Sequence, residues 1–233
     1  MKPARLTAQL KRQALGLGAD LVGVADLAPF SRLKTYPPDL LAPYRRAVSL
    51  AVRLPRAIFD DLVDQPTPIY ANFYQAANRR LDEIALGVAG FLEDHDYRAL
   101  PIPASQMIDM TELRGALTHK AVARMAGLGW QGKSLLIITP QYGPRVRLVT
   151  VVTDAPLKAN RPLANRCGKC DQCRRACPAG AIKGVGTGNR YDSRGQALHF
   201  AKCRNLLMQN FAKLPKVEVP ICGFCIKACP FTR

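Results

Sequence analysis

From Tyr70 to Asp94 apolar residues return every three or four positions, at Phe73, Ala77, Leu81, Ile84, Val88 and Phe91. That is the period of one helix face, so the stretch predicts a long amphipathic helix packed on a sheet. A shorter helix is predicted over residues 7–15, TAQLKRQAL, with Thr7 as N-cap and Gly16 and Gly18 as stop signals. Apolar runs bounded by turn residues predict strands at 20–26 (DLVGVAD), 46–54 (RAVSLAVRL) and within 97–102 (YRALPI), with Pro29, Pro37, Pro38 and Pro43 breaking the chain between the first two. His95, in Asp94-His95-Asp96, reads as a solvated helix end, because no second histidine lies at ligand spacing.

Residues 103–116 read as a polar loop carrying Asp109 and Glu112, followed by a helix near 117–126 with Thr118 at its start and Gly127 as its stop. WQGK then forms a loop, and SLLIIT and RVRLVTVVTD form two strands paired as a hairpin across PQYGP. Residues 155–166 are a linker. Beyond Pro178 the pattern predicts a helical turn at AGAI, a Gly-rich connector and a helix over about 199–211 that carries Cys203.

The cysteines change this picture. Residues 167–178, CGKCDQCRRACP, space their thiols C-x2-C-x2-C-x3-C-P, which is a ligand set for an iron-sulfur cluster. In such a run the fourth cysteine ligates a second cluster, so a partner motif is required. ICGFCIKACP supplies Cys222, Cys225 and Cys229, and Cys203 fills the missing place. The crossing rule assigns Cys167, Cys170, Cys173 and Cys229 to one 4Fe-4S cluster, and Cys177, Cys203, Cys222 and Cys225 to the other. All eight cysteines are then used, and all lie after residue 166. Structural zinc would favour two separated C-x2-C pairs, and a disulfide scaffold needs an oxidising compartment.

At 233 residues the chain is long enough for one or two domains, and the cysteine distribution divides it at 154/155. The start, MKPARLTAQLKRQALG, lacks the apolar core of a signal peptide, and no run approaches a membrane span, which points to a reducing cytoplasm. A net charge of +17 suits a phosphate-rich partner or an acidic protein, while the basic residues are scattered rather than blocked.

Gly127–Ser134, GLGWQGKS, satisfies the P-loop expression, yet a helix precedes it and an apolar run follows, the reverse of the strand-loop-helix order that aims amides at phosphates. Its glycines are compatible either with close approach to a cofactor or with a helix stop and a tight turn.

GLGWQGKSLLI, the later TDAPL, CGKCDQCRRACPAGAI and the terminal CGFCIKACP together resemble the epoxyqueuosine reductases and the related corrinoid-dependent reductive dehalogenases. The opening LGADLVGVADLAPF is similar to the family's first strand. The resemblance implies an α+β chain: a nitroreductase-like α/β domain (1–154) that holds cobalamin, then a small ferredoxin-like domain with two 4Fe-4S clusters (155–233). It implies corrin contacts from Gly127, Gly129, Trp130, Gly132 and Lys133, and a proton donor, Asp109 first, with His119 and Lys120 as alternatives. Two departures from the family pattern stand out. The chain stops three residues after Pro230, and the family's catalytic aspartate lies nearer the AGLGW motif than Asp109 does. The implied activity is reduction by low-potential electrons, taken from a ferredoxin- or flavodoxin-type donor and passed through the clusters to cobalamin, with tRNA as a partner. The alternative is an electron carrier or reductive activator that serves an acidic partner protein without cobalamin.

Overall fold

The computed structural model describes residues 2–30, 33–188 and 190–232. These group into two compact units, each discontinuous in sequence: residues 1–52, 77–128 and 147–163 form the first, and 53–76, 129–146 and 164–233 the second. The segment before residue 155 therefore contributes to both.

The first unit is built on a sheet of order β1-β2-β6-β3, comprising β1 (Leu21–Asp26), β2 (Arg46–Arg53), β3 (Ala99–Ile102) and β6 (Val146–Thr153). β1 runs antiparallel to β2 with Val24 opposite Val48, and β3 runs antiparallel to β6 with Leu100 opposite Val152. Six consecutive residues of β2, Ala47–Val52, are buried, as are the last six of β6, so these inner strands read as continuous apolar runs rather than alternating ones.

Helix α1 (Pro3–Gly16) lays Leu6, Leu10 and Ala14 on the core, all fully buried, at about 1.5–3 kcal/mol for each leucine. It starts four residues earlier than its sequence pattern predicts, because Pro3 takes the first helical position, where a missing N–H costs nothing. Thr7 is consequently not a cap. Its Oγ1 donates to the Pro3 carbonyl at 2.7 Å and accepts the Lys158 amide at 2.8 Å.

Helix α3 (Pro68–Glu93) matches the predicted long helix, and Ala77, Leu81, Ile84 and Val88 form its buried face in this unit. Helix α4 (His119–Met125) buries Val122 and Ala123, and Gly127 ends it in the left-handed region at φ +70°.

In the second unit, after the short α2 (Ala57–Asp60), β4 (Trp130–Gln131) pairs antiparallel with β5 (Ile137–Ile138). This corrects the expected hairpin: the first apolar run, SLLIIT, pairs with β4, and the second, β6, belongs to the four-stranded sheet. Eight largely buried residues of β6 need partners on both edges, and two-residue β5 could not supply them. WQ is accordingly strand rather than loop.

Each cysteine run folds around one four-residue helix, α5 (Gln172–Arg175) or α8 (Phe224–Lys227), with Cys173 and Cys225 at their second positions. Past Pro178 the chain makes a turn, not the expected helical AGAI, and Ile182 bridges Leu198. Leu135, Ile182, Ala197 and Leu198 make a small core, and Cys173, Cys177, Tyr191 and Cys225 pack on it. After α6 (Arg194–Ala197), α7 (Phe200–Asn205) carries Cys203 and passes into a π-helical turn at Leu206–Asn210, so the predicted 199–211 helix is present with its second half widened.

Candidate metal centre

The eight thiols form no disulfide. Burial pushes the Cys229 thiol up to about 11, and repulsion from Cys167, Cys173 and Cys170 adds to the rise. Cys173 is raised by burial and by the same neighbours, Cys167 and Cys170. Cys222 is pushed up to about 11 by burial, and Cys203 and Cys177 are the thiols beside it. Cys225 is raised by burial and then by Cys222, Cys173, Cys203 and Cys177, which makes Cys173 and Cys225 the point where the sets approach each other.

The donor chemistry fits metal clusters. Buried thiols that raise one another become thiolates when cationic metal compensates their charge. Cys167, Cys170, Cys173 and Cys229 line a cavity with Cys225, Lys133 and Phe231, rather than converging on a point: among the described residues no three His, Cys, Asp or Glu side chains could hold a single ion.

Backbone amides point at the sulfurs. The Ala181 N–H donates to Cys177 Sγ at 3.3 Å, and the Phe224, Phe231 and Arg174 amides donate to Cys222, Cys229 and Cys173. Such donors stabilise negative charge on sulfur and move cluster potentials.

The Gly127–Lys133 loop is committed to protein contacts. A Cβ on Gly129 would lie 2.3 Å from the Ile138 carbonyl oxygen, and one on Gly127 would lie 2.6 Å from that of Arg161. Gly132 closes on the Ile138 side chain. Trp130 is fully buried, edge-on to Phe231 with ring centroids 4.9 Å apart, and the Arg166 guanidinium lies 5.7 Å from its ring centroid. Lys133 donates to the Cys170 carbonyl at 2.8 Å. Trp130 and Gly129 are thus packed against protein, while Gly132 and Lys133 also line the cysteine cavity and Gly127 is partly exposed.

Asp109, His119 and Lys120 are not drawn together. Asp109 is exposed, and its Oδ1 accepts the Thr111 and Glu112 amides, both at 2.9 Å, in a turn closed by an Asp109–Arg114 bridge. His119 bonds Thr150 Oγ1 at 2.9 Å through Nδ1 and the Pro103 carbonyl at 3.1 Å through Nε2. A carbonyl only accepts, so Nε2 carries the proton, and burial lowers the ring's pKa to about 4. Lys120 is exposed at the start of α4.

Sequence reading missed Asn165, whose Oδ1 accepts the Cys167 amide and whose Nδ2 donates to the Gln131 carbonyl, and Gln131, whose Oε1 accepts the Tyr191 amide. An Asn two residues before a ligand is the signal of an Asx turn that presents the first thiol.

Residues 166–232 match the family model described as a 4Fe-4S double cluster binding domain. An epoxyqueuosine reductase of Listeria monocytogenes is 33% identical over 132 residues, 57% of this chain and 34% of that protein. A tetrachloroethene reductive dehalogenase of Sulfurospirillum multivorans is 27% identical across 99% of this chain and 51% of its own.

Among solved structures, a reductive dehalogenase described for B12-dependent dehalogenation covers the whole chain with TM-score 0.78 and 24% identity, over 32% of its length. An epoxyqueuosine reductase with an epoxyqueuosine-modified tRNA-Tyr stem loop covers 98% with TM-score 0.63 and 25% identity, over 65% of its length. The chain spans about a third of the length of the first curated relatives it matches. No helix among the described residues is long and apolar enough to cross a membrane. In sequence and fold the chain is similar to the epoxyqueuosine reductases and reductive dehalogenases, and residues 166–232 match the double-cluster domain.

Proposed function

We propose that the chain is an epoxyqueuosine reductase-like iron-sulfur oxidoreductase of the reducing cytoplasm. Cys167, Cys170, Cys173 and Cys229 would hold one cluster and Cys177, Cys203, Cys222 and Cys225 another, and the pair would supply one-electron transfer from a ferredoxin- or flavodoxin-type donor. The observation that supports this reading is that Cys229 lines one cavity with Cys167, Cys170 and Cys173, although it belongs to the other cysteine run. Cobalamin as the acceptor is supported by the dehalogenase relative described for B12-dependent chemistry. A corrinoid would supply a cobalt centre whose reduced state is a strong nucleophile and reductant. The protein's own part is to hold the clusters, tune them through amide donors and supply a proton.

Asp109 suits the last task by its accessibility. His119, neutral and bonded at both nitrogens, suits a positioning role better, and exposed Lys120 remains a secondary donor. A tRNA substrate is supported by the relative solved with a tRNA stem loop and by the charge of +17, through backbone neutralisation.

A second reading, electron delivery to an acidic partner protein without cobalamin, is favoured by one observation: Gly129 and Trp130 of the expected corrin contact are packed against Ile138 and Phe231.

The test is anaerobic purification, reconstitution with iron and sulfide, addition of cob(II)alamin and electron paramagnetic resonance after removal of unbound cofactor. A retained base-off cobalt signal supports the corrinoid reductase. Its loss with both clusters intact leaves the electron-transfer reading.

A further inference from the structure

Lys133 is a cation buried beside the thiols. It is 7% exposed and lines the same cavity as Cys167, Cys170, Cys173 and Cys229. Nζ donates to the Cys170 carbonyl, and the aliphatic stem passes Gly186, whose added Cβ would stand 3.8 Å from Cε. No carboxylate pairs with it among the described residues. A buried ammonium without a counter-ion is costly, and a cluster with four thiolates is an anion that would supply the missing charge.

We propose that Lys133 is the fixed counter-charge of the cluster bound by Cys167, Cys170, Cys173 and Cys229 and sets its reduction potential, resting on the reading that this set holds a cluster. Reduction adds one electron, supplied by the donor, and makes the cluster with its thiolates one unit more negative. A neighbouring cation stabilises that form more than the oxidised one and raises the potential. Lys133 is thus a positioning and tuning residue, and the lysine of the literal P-loop match serves sulfur rather than phosphate.

The test is a redox titration of the full reconstituted chain, followed by electron paramagnetic resonance, in wild type, K133Q, K133M and K133R. The signal abolished by Cys229→Ser identifies the cluster. K133Q keeps a donor for the Cys170 carbonyl but removes the charge. It is expected to make reduction at least tenfold less favourable, a fall of about 59 mV for one electron, with K133R restored toward wild type and the other cluster moving far less. A wild-type midpoint in K133Q with both clusters present overturns the proposal, as does a shift confined to K133M, which would leave only a hydrogen bond. If K133Q fails to load the cluster, K133R decides: loading supports the proposal, and failure alongside a loaded K133M overturns it. Failure of wild type to take up iron for two clusters would sink the underlying reading, and would be seen before any titration.

Discussion

The Cys229 thiol stands among Cys167, Cys170 and Cys173, although in sequence it ends the run that begins at Cys222. Cys229→Ser should therefore remove the same cluster as Cys167→Ser and about half of the bound iron, leaving the Cys222 cluster's signal in place. Iron analysis with electron paramagnetic resonance of the two variants and of Cys222→Ser checks this. If Cys229→Ser and Cys222→Ser abolished one common signal, the crossed assignment would fail.

Chelation of the metal should leave reluctant thiols. Cys222 and Cys229 sit near pH 11 against an ordinary value of 9.0, so between these values the unfolded chain has released protons that the folded chain still holds. Their contribution is full below pH 9 and is lost as pH rises through 11. With partial exposure it amounts to about 1–2 kcal/mol for each thiol. Melting of the chelated protein should drop from pH 8 to pH 10.5, and alkylation of these two thiols should lag behind that of exposed Cys170. Equal alkylation rates at pH 8 would contradict the burial.

His119 predicts the opposite limb. Its folded pKa of about 4 lies below the ordinary 6.5, so its contribution is full above pH 6.5 and disappears as pH falls through 4. The size is about 2–3 kcal/mol. His119→Gln, which still donates to the Pro103 carbonyl, should flatten the pH dependence of the melting temperature between pH 6.5 and 4.5. An unchanged slope would show that other groups govern acid stability.

Glycine substitutions separate packing from cofactor contact. Gly129→Ala drives a methyl into the Ile138 carbonyl and should cost about 2 kcal/mol, read as a lower melting temperature even without added cobalamin. Gly90→Ala, in α3 with nothing within 4 Å of the new methyl, should gain roughly 0.5–1 kcal/mol. A Gly129→Ala protein that melts as wild type but loses cobalamin would return the loop to the cofactor.

The double-cluster segment was legible in sequence because ligand spacing is local chemistry: two two-residue gaps, one three-residue gap and a closing C-P mark the run. The long helix was legible for a similar reason, since Ala77, Leu81, Ile84 and Val88 carry its period alone. The pairing of β6 was not, because SLLIIT and RVRLVTVVTD look alike as apolar runs. Only the partners on both edges of a fully buried strand separate them, and those lie far away in sequence. Thr7 misled because the same residue type caps helices and bonds back to a carbonyl four residues earlier, and Pro3 decided which. The burial of Lys133 left no mark either, as lysine is the residue least expected inside.

The crossing of the two cysteine runs also orders events in time. A chain emerging from the ribosome as far as Cys203 presents five of the eight thiols, yet on the crossed assignment neither set is complete until Cys222, Cys225 and Cys229 follow. Both centres then become fillable within the short stretch from Cys222 to Cys229, so a chain cut before that run would carry two incomplete sites rather than one finished cluster. Loading follows the making of the second cysteine run, and quality control for this segment reduces to whether that run has joined the first.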